Sequence, residues 1–323
     1  ADEISRGLFH PLWDLGLDLG HGVRSIKDCL RLAREDTQVL TSLLDTRLIA
    51  GDEGLVSRFL HEFSERLLHG HARAFGQWVL EHNAARRAEY GDSSGLLEPE
   101  LKNGLGGLRD VHQVHWLTQV LAAAPGGSGG GGQPLGAEDR ADLEQDYRFV
   151  LNARTALHLA AGRKTDRLVF DLQPQVARAL GFSGADPATD EGATPDATAL
   201  ATGLAVEAFL SRLHQAMTRI RAARQACWME VFPPAGPLSA LPPETPSSIV
   251  NTPTGVGFRS GVSPTPADFL ALYLAAARAA RPVSWSALRA TRRALAQPEG
   301  RAAFAALPQV LSSTMASTMA STM

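Results

Sequence analysis

The chain has 323 residues, of which 44% are hydrophobic and 20% are charged, so it can bury a substantial core in about two domains. Its formal net charge of −3 lacks the basic excess that is typical of nucleic-acid-binding proteins, so we expect no nucleic-acid partner. There is no apolar run of the roughly 18 residues that cross a bilayer, no signal peptide, and no close pair of cysteines. These features favour a cytoplasmic protein without a membrane partner.

The first 50 residues are predicted to mix helix and strand. Ser25 is a suitable N-cap residue, and the apolar spacing after it predicts a helix over residues 25–35. Residues 41–50 alternate in a way that predicts a strand, with Asp45 and Arg47 on one face. A carboxylate there could hold a divalent metal or position a base, although an exposed ion pair explains the spacing better.

The rest of the chain has the apolar periodicity of helices. Helices are predicted within residues 52–90, 108–119, 138–162 and 204–231, and at least two within residues 266–295. The segments rich in glycine, proline or small polar residues are predicted to be irregular, and these are residues 125–136, 183–199 and 232–252. The repeated letters STMASTMASTM predict a disordered tail over residues 311–323.

The most distinctive local pattern is LEPELKNGLGGLRD, at residues 97–110. Its three glycines allow a tight turn and a close approach to a ligand, and the helix that follows would present its N-terminus to an anion. Lys102 and Arg109 add positive charge on either side of the turn. The spacing alone fits a phosphate site and a plain interhelical turn with solvated charges equally well.

Arg154 lies in the middle of the apolar stripe of the helix predicted over residues 138–162. A buried arginine is costly unless it is paired or faces a wet cleft. The position therefore predicts either an anion ligand such as a triphosphate, or an arginine that extends along the edge of the stripe. His158, one turn further on, is expected to be structural.

Residues 98–116, EPELKNGLGGLRDVHQVHW, closely resemble the K-x-G-x-G-G-L-R-D segment of bacterial PII uridylyltransferases. These are the bifunctional uridylyltransferase/uridylyl-removing enzymes of nitrogen sensing. Three further segments resemble the same family in the same order, at residues 12–52, 154–182 and 257–279. The resemblance covers most of residues 8–295 and is interrupted by two loops.

The resemblance implies a mainly α protein with a small α/β part. Residues 1–55 would be the C-terminal portion of a nucleotidyltransferase fold, and residues 56–232 a helical nucleotide-binding domain. Residues 233–310 would lead toward a hydrolase domain that the sequence lacks. The family also implies UTP as the nucleotide, Mg²⁺ as the cofactor and a PII-type signalling protein as the partner.

The same resemblance assigns the candidate site residues. Asp45 falls where the family's third catalytic, metal-binding acid is expected. The residues that match the helical-domain motif are expected to bind the nucleotide, together with Arg154, and they are Lys102, Gly104, Gly106, Gly107, Arg109 and Asp110. We place Lys102 and Arg109 near the phosphates.

The sequence also departs from the family pattern, because it contains neither the Gly-Gly…Asp-x-Asp motif nor a His-Asp phosphohydrolase motif. We therefore expect a truncated enzyme that transfers no UMP by itself and has no uridylyl-removing activity. Two alternatives stay open. One is a fragment of a glutamine-synthetase adenylyltransferase, which shares the glycine motif, and the other is a non-catalytic helical interaction module.

Overall fold

The computed structural model describes residues 2–17, 19–91, 95–123, 135–182, 195–232, 240–259, 261–262 and 264–305. Most of these residues are helical. The α-helices are α1 (Asp2–Asp14), α2 (Ile26–Glu35), α3 (Thr37–Leu44), α4 (Glu53–Phe63), α5 (Ala72–Tyr90), α6 (Leu108–Ala122), α7 (Ala137–Ala161), α8 (Gln173–Ala179), α9 (Pro195–Val231), α10 (Pro266–Arg278), α11 (Trp285–Ala296) and α12 (Pro298–Ala305). None of the helices in these ranges combines the length and hydropathy needed to cross a membrane.

The chain divides into two compact units. The first comprises Ala1–Glu89 and His112–Gln133, and the second comprises Tyr90–Val111 and Pro134–Met323. The domain boundaries that the resemblance implies, after residues 55 and 232, stay predictions. The expected tail, the 233–239 part of the proline-rich segment and most of the two expected loops lie outside the described residues.

The first unit begins with short helices whose starts are fixed by side-chain caps. Ser25 caps α2 in a reciprocal arrangement with Asp28, and this confirms the helix predicted over residues 25–35. Asp36 then caps α3 by accepting a hydrogen bond of 2.7 Å from the backbone N–H of Gln38.

The strand predicted over residues 41–50 is wrong, because residues 37–44 form α3 and Asp45 is its C-cap residue. The buried apolar side chains Leu40 and Leu44 are four residues apart, which is the helical period. Among the described residues up to 91 there is no strand, so the small α/β part expected at the start of the chain is not observed.

The long helical stretch predicted over residues 52–90 is interrupted. After α4 the backbone forms a π-helical turn at Ser64–Leu68, and α5 begins only at Ala72. Gly70 has φ +82°, a left-handed conformation that ends a helix. This glycine divides one predicted helix into two.

The second unit is built on the packing of α7 against α9. The helix predicted over residues 138–162 is confirmed as α7, and Gly162 ends it with φ +63°. Helix α9 starts at Pro195, before the Leu204 expected from the sequence, so residues 195–199 of the second expected loop are helical. The innermost side chains of the two helices are almost completely buried, and these include Val150, Leu157, Phe209, Leu213, Met217 and Ile220.

The segment expected to be irregular ends in a β-hairpin. Strand β1 (Ile249–Thr252) pairs antiparallel with β2 (Gly255–Phe258), in a register that sets Ile249 opposite Phe258. The hairpin packs against α10 and α11, which confirm the two helices predicted within residues 266–295.

Candidate functional site

The turn at residues 97–110 lies in the second unit, and its backbone donors are already used by the protein. The N–H groups of Asn103 and Gly104 both donate to the carboxylate of Glu100. The N–H of Gly106 donates to the Asp110 carboxylate at 2.8 Å. Two carboxylates of the chain thus occupy positions where an external anion would bind a glycine-rich turn.

The N-terminus of α6 is satisfied in the same way. Its first three N–H groups donate at 2.9–3.0 Å to carbonyl oxygens within the turn, and the pairs are Leu108 to Leu101, Arg109 to Lys102 and Asp110 to Gly107. A helix N-terminus attracts phosphate because its first donors are unpaired, and here these three are paired. Phosphate recognition at this turn must therefore come from side chains.

Two glycines of the motif are required by close packing of the backbone. Gly106 has φ +85°, and a Cβ placed on it would lie 2.5 Å from the carbonyl oxygen of Met217 in α9. A Cβ on Gly107 would lie 2.8 Å and 2.9 Å from the carbonyl oxygens of Leu101 and Lys102. These glycines hold the turn against α9 and against itself.

Asp110 joins the same turn to α9 through a buried charge. It is completely buried, and the Nε of Arg224 lies 3.4 Å from its Oδ2. A buried acidic side chain is stabilised by such a partner. In this arrangement Asp110 stabilises the turn, and its role in binding the nucleotide stays a prediction.

The start of the motif runs beside the segment that follows α7. The N–H of Leu101 donates to the carbonyl of Asp166 at 2.8 Å, and the N–H of Leu168 donates to the carbonyl of Pro99 at 3.0 Å. This short antiparallel contact brings Lys102 close enough to Asp166 for their charges to interact. Residues far apart in sequence are thereby brought together.

Arg154 is held in this region by a carboxylate. Its Nε donates to Asp166 Oδ1 at 2.6 Å, and the Nε2 of His158 lies 3.5 Å from the same oxygen. The Arg154 side chain is 24% exposed. Among the described residues the two Nη nitrogens of Arg154 have no hydrogen-bond or ion-pair partner.

The charge around Asp166 is predominantly positive. The ammonium group of Lys102, which is half-buried, forms no hydrogen bond or ion pair within the described part of the chain. Arg163 and Arg167 are exposed on the segment that follows α7. Side chains with several free cationic donors are suited to a polyanionic ligand.

The pKa of the Asp166 carboxyl reflects these neighbours. Burial raises this pKa, but the hydrogen bond and the charge of Arg154 outweigh burial, with smaller contributions from His158 and Lys102. The pKa therefore lies below its ordinary value, and the carboxylate is ionised at neutral pH. The Arg154–Asp166 contact is an ion pair under these conditions.

Asp45 lies in the first unit, at the C-terminal end of α3, and is exposed. Its Oδ1 accepts a hydrogen bond of 2.9 Å from the indole Nε1 of Trp116. Because α3 is a helix, the expectation that Asp45 and Arg47 share the face of a strand is wrong. The catalytic role that the resemblance gives to Asp45 stays a prediction.

The described residues do not supply a magnesium shell. No group of three or more His, Cys, Asp or Glu side chains in the described ranges is placed to hold a metal ion. Mg²⁺ takes about six oxygen ligands, and Asp45 offers one carboxylate that already accepts a hydrogen bond from Trp116. We derive no metal-dependent step from these residues, and the Mg²⁺ expectation stays a prediction.

Asp166 is the site residue that the sequence reasoning missed. An arginine in an apolar stripe indicates that an acidic partner exists, but the sequence alone does not say which residue it is. The family resemblance covers the segment that contains Asp166 but gives this residue no role. Glu100 and Arg224, which complete the turn, were also missed.

Comparisons with known proteins identify a related family over part of the chain. Residues 75–228 match the sequence model of the family described as GlnD PII-uridylyltransferase. This matched segment is just under half of the chain and contains both the glycine turn and Arg154. The resemblance seen in the sequence is confirmed.

Individual related proteins carry a description that matches this family model. The chain is 35% identical over 215 residues to a bifunctional uridylyltransferase/uridylyl-removing enzyme of Phenylobacterium zucineum strain HLK1, an alignment that covers 66% of this chain and 21% of that protein. A protein of the same description from Cereibacter sphaeroides is 36% identical over 184 residues, covering 57% and 20%. A third, from Caulobacter vibrioides, is 32% identical over 223 residues, covering 66% and 21%.

The chain spans about a fifth of the length of the curated relatives that it matches. No solved structure matches it significantly.

Proposed function

We propose that this chain contains the nucleotide-binding helical part of an enzyme that transfers UMP from UTP to a PII-type signalling protein. The observation that carries the proposal is Arg154, whose Nε is held by Asp166 while both Nη nitrogens stay available, near the cationic Lys102. The name of the relatives, bifunctional uridylyltransferase/uridylyl-removing enzyme, supports a uridine nucleotide.

The proposed contacts to the triphosphate are made by side chains. The planar guanidinium of Arg154 can bind two phosphate oxygens through its free Nη groups, and Lys102 adds a point charge. Arg109, which is half-buried in the first turn of α6, is proposed as a third cation. The glycines and Asp110 set the shape of the turn that carries Lys102 and Arg109.

In this proposal the described residues bind and orient UTP and offset the negative charge that develops on the pyrophosphate leaving group. The attacking group would be a tyrosine hydroxyl of the PII-type protein. We assign no base and no metal ligand among the described residues. The described part is therefore proposed to bind the nucleotide without completing the transfer by itself.

Titration calorimetry with UTP tests the proposal. We expect Arg154→Ala and Lys102→Ala each to weaken UTP binding at least about tenfold, because each removes a charged donor to a phosphate. The matched control is Arg148→Ala, on the same helix α7, where Arg148 is exposed and paired with Glu144. The control should bind UTP like the wild type.

Four outcomes would redirect the assignment. Failure of the wild type to bind UTP, or equal affinities of the wild type and Arg154→Ala, would contradict the proposed site. Tighter binding of ATP than of UTP would favour the adenylyltransferase-like alternative. Absence of binding to either nucleotide would favour a non-catalytic helical module.

A further inference from the structure

We propose that Asp166 is a positioning residue, which fixes the guanidinium of Arg154 so that its Nη groups meet the phosphates of the nucleotide. The inference rests on the proposed function, because it concerns the same site. Asp166 need not touch the nucleotide. Its contribution is to fix the orientation of the Arg154 guanidinium.

The position of Asp166 is itself fixed by the backbone. Its carbonyl accepts the hydrogen bond from Leu101, and the next residue, Arg167, forms an antiparallel bridge with Glu100. Leu101 and Leu168, on either side of this contact, are completely buried. The carboxylate is therefore anchored to the glycine motif.

The contact to Arg154 is made through Nε. A hydrogen bond at this atom restrains rotation at the end of the side chain and leaves the edge formed by the two Nη nitrogens uncovered. A free arginine side chain has to lose many rotamers when it binds an anion, whereas one already restrained loses fewer. The 2.6 Å contact between Arg154 and Asp166 is a form of this preorganisation.

Electrostatic repulsion alone predicts that Asp166 has the opposite effect on UTP affinity. A carboxylate close to a triphosphate repels it, so removing that carboxylate should tighten binding if long-range electrostatics dominate. If Asp166 positions Arg154, removing the carboxylate should weaken binding. The sign of the change in affinity distinguishes the two roles.

The experiment measures UTP affinity by calorimetry for the wild type, Asp166→Asn, Asp166→Ala, Arg154→Ala and the double variant Arg154→Ala/Asp166→Ala. We expect each Asp166 variant to weaken binding about five- to tenfold. In the Arg154→Ala background, the additional loss of Asp166 should not weaken UTP binding further, because the side chain that Asp166 positions is already absent. Inorganic tripolyphosphate should show the same pattern, because it makes only the phosphate contacts.

The matched control is Asp171→Asn, which removes the same charge from an exposed position five residues further along the chain. It should leave the affinity unchanged. Circular dichroism and thermal unfolding are recorded for every variant, and Asp166→Asn, which keeps the size and an acceptor oxygen, decides the question if Asp166→Ala does not fold.

The inference is overturned if Asp166→Asn binds UTP as tightly as the wild type or more tightly while Arg154→Ala is impaired. That result would leave the proposed function standing. If Arg154→Ala has no effect, or the wild type does not bind UTP, the proposed function fails, and the positioning role fails with it.

Discussion

Single residues of the glycine motif have different physical tasks. Gly106 is the most restricted, because it combines a left-handed backbone with a direct approach to the Met217 carbonyl. Lys102, four residues earlier, is half-buried with a free ammonium group. One short segment thus contains a residue that shapes the turn and a residue that is available to a ligand.

Gly106→Ala should destabilise the protein by about 2–4 kcal/mol, because the methyl group would be strained by φ +85° and would overlap the Met217 carbonyl. Urea denaturation monitored by circular dichroism measures this change. The control is Gly203→Ala in α9, where no atom lies within 4 Å of the added Cβ.

The control variant should be neutral or more stable than the wild type by up to about 1 kcal/mol, since alanine favours a helix more than glycine does. Equal stabilities of Gly106→Ala and the wild type would show that Gly106 is not constrained by packing.

At the scale of single residues, the sequence predicted the cationic residues of the candidate site better than the acidic residues that pair with them. Lys102 and Arg154 could be singled out because isolated charges beside glycines or within an apolar stripe are conspicuous. Asp166 and Glu100 could not, because their roles depend on an antiparallel contact between segments far apart in sequence. Local patterns do not determine such long-range pairing.

Among the elements, α7 and α9 are joined by a buried ion cluster. Asp146 of α7 is 1% exposed and accepts hydrogen bonds from Arg212 at 3.1 Å and from the Nε of Arg219 at 2.6 Å. The hydrogen bond from Arg219 to Asp146 raises the pKa of the arginine above its ordinary value. The cluster fixes how the two helices face each other.

Asp146→Ala should lower the free energy of unfolding by about 1–3 kcal/mol, because two arginines lose their acceptor beside a buried position. The arginine side chains are 26% and 33% exposed and can be partly rehydrated, so the loss stays below that of a fully buried pair.

Chemical denaturation compares this variant with Glu144→Ala, which removes an exposed ion pair on the same helix and should cost less than about 1 kcal/mol. A cost for Asp146→Ala no greater than that of the control would contradict a stabilising role for the cluster.

The long helices of the second unit were predictable, whereas the short elements were not. Helix α7 is 25 residues long, and an apolar stripe that recurs over most of that length has only one interpretation. The alternating pattern of residues 41–50 predicted a strand, whereas residues 37–44 form a helix that Asp36 caps. The hairpin at residues 249–258 was missed because it begins in a proline-rich segment, and its Gly255 adopts φ +140°, a conformation that favours glycine.

At the scale of the whole molecule, the candidate residues are divided between the two units. Asp45 belongs to the first, and the seven other candidates belong to the second. The sequence resemblance assigns all of them to one site. A measurement that covers the whole chain is needed to connect them.

Hydrogen–deuterium exchange, recorded with and without UTP, is a measurement that covers the whole chain. We expect slower exchange in residues 97–110 and 162–168 when UTP binds, because Lys102 and Arg154 would be held by the phosphates. Arg154→Ala is the control and should show no such protection. Protection confined to the first unit would contradict the proposed site, and additional protection at residues 43–47 would support the predicted role of Asp45.

The course of the backbone has a consequence for biosynthesis. The glycine turn precedes in sequence the parts of α9 and of the segment after α7 that contact it, since Gly106 meets Met217 and Leu101 pairs with Asp166. During translation the turn leaves the ribosome well before α7 and α9, and contacts between distant residues form late. Until α9 has been made, the turn lacks the Met217 carbonyl and the Arg224 side chain that contact it in the finished protein. The conformation of the glycine turn is therefore completed only after α9 has been synthesised.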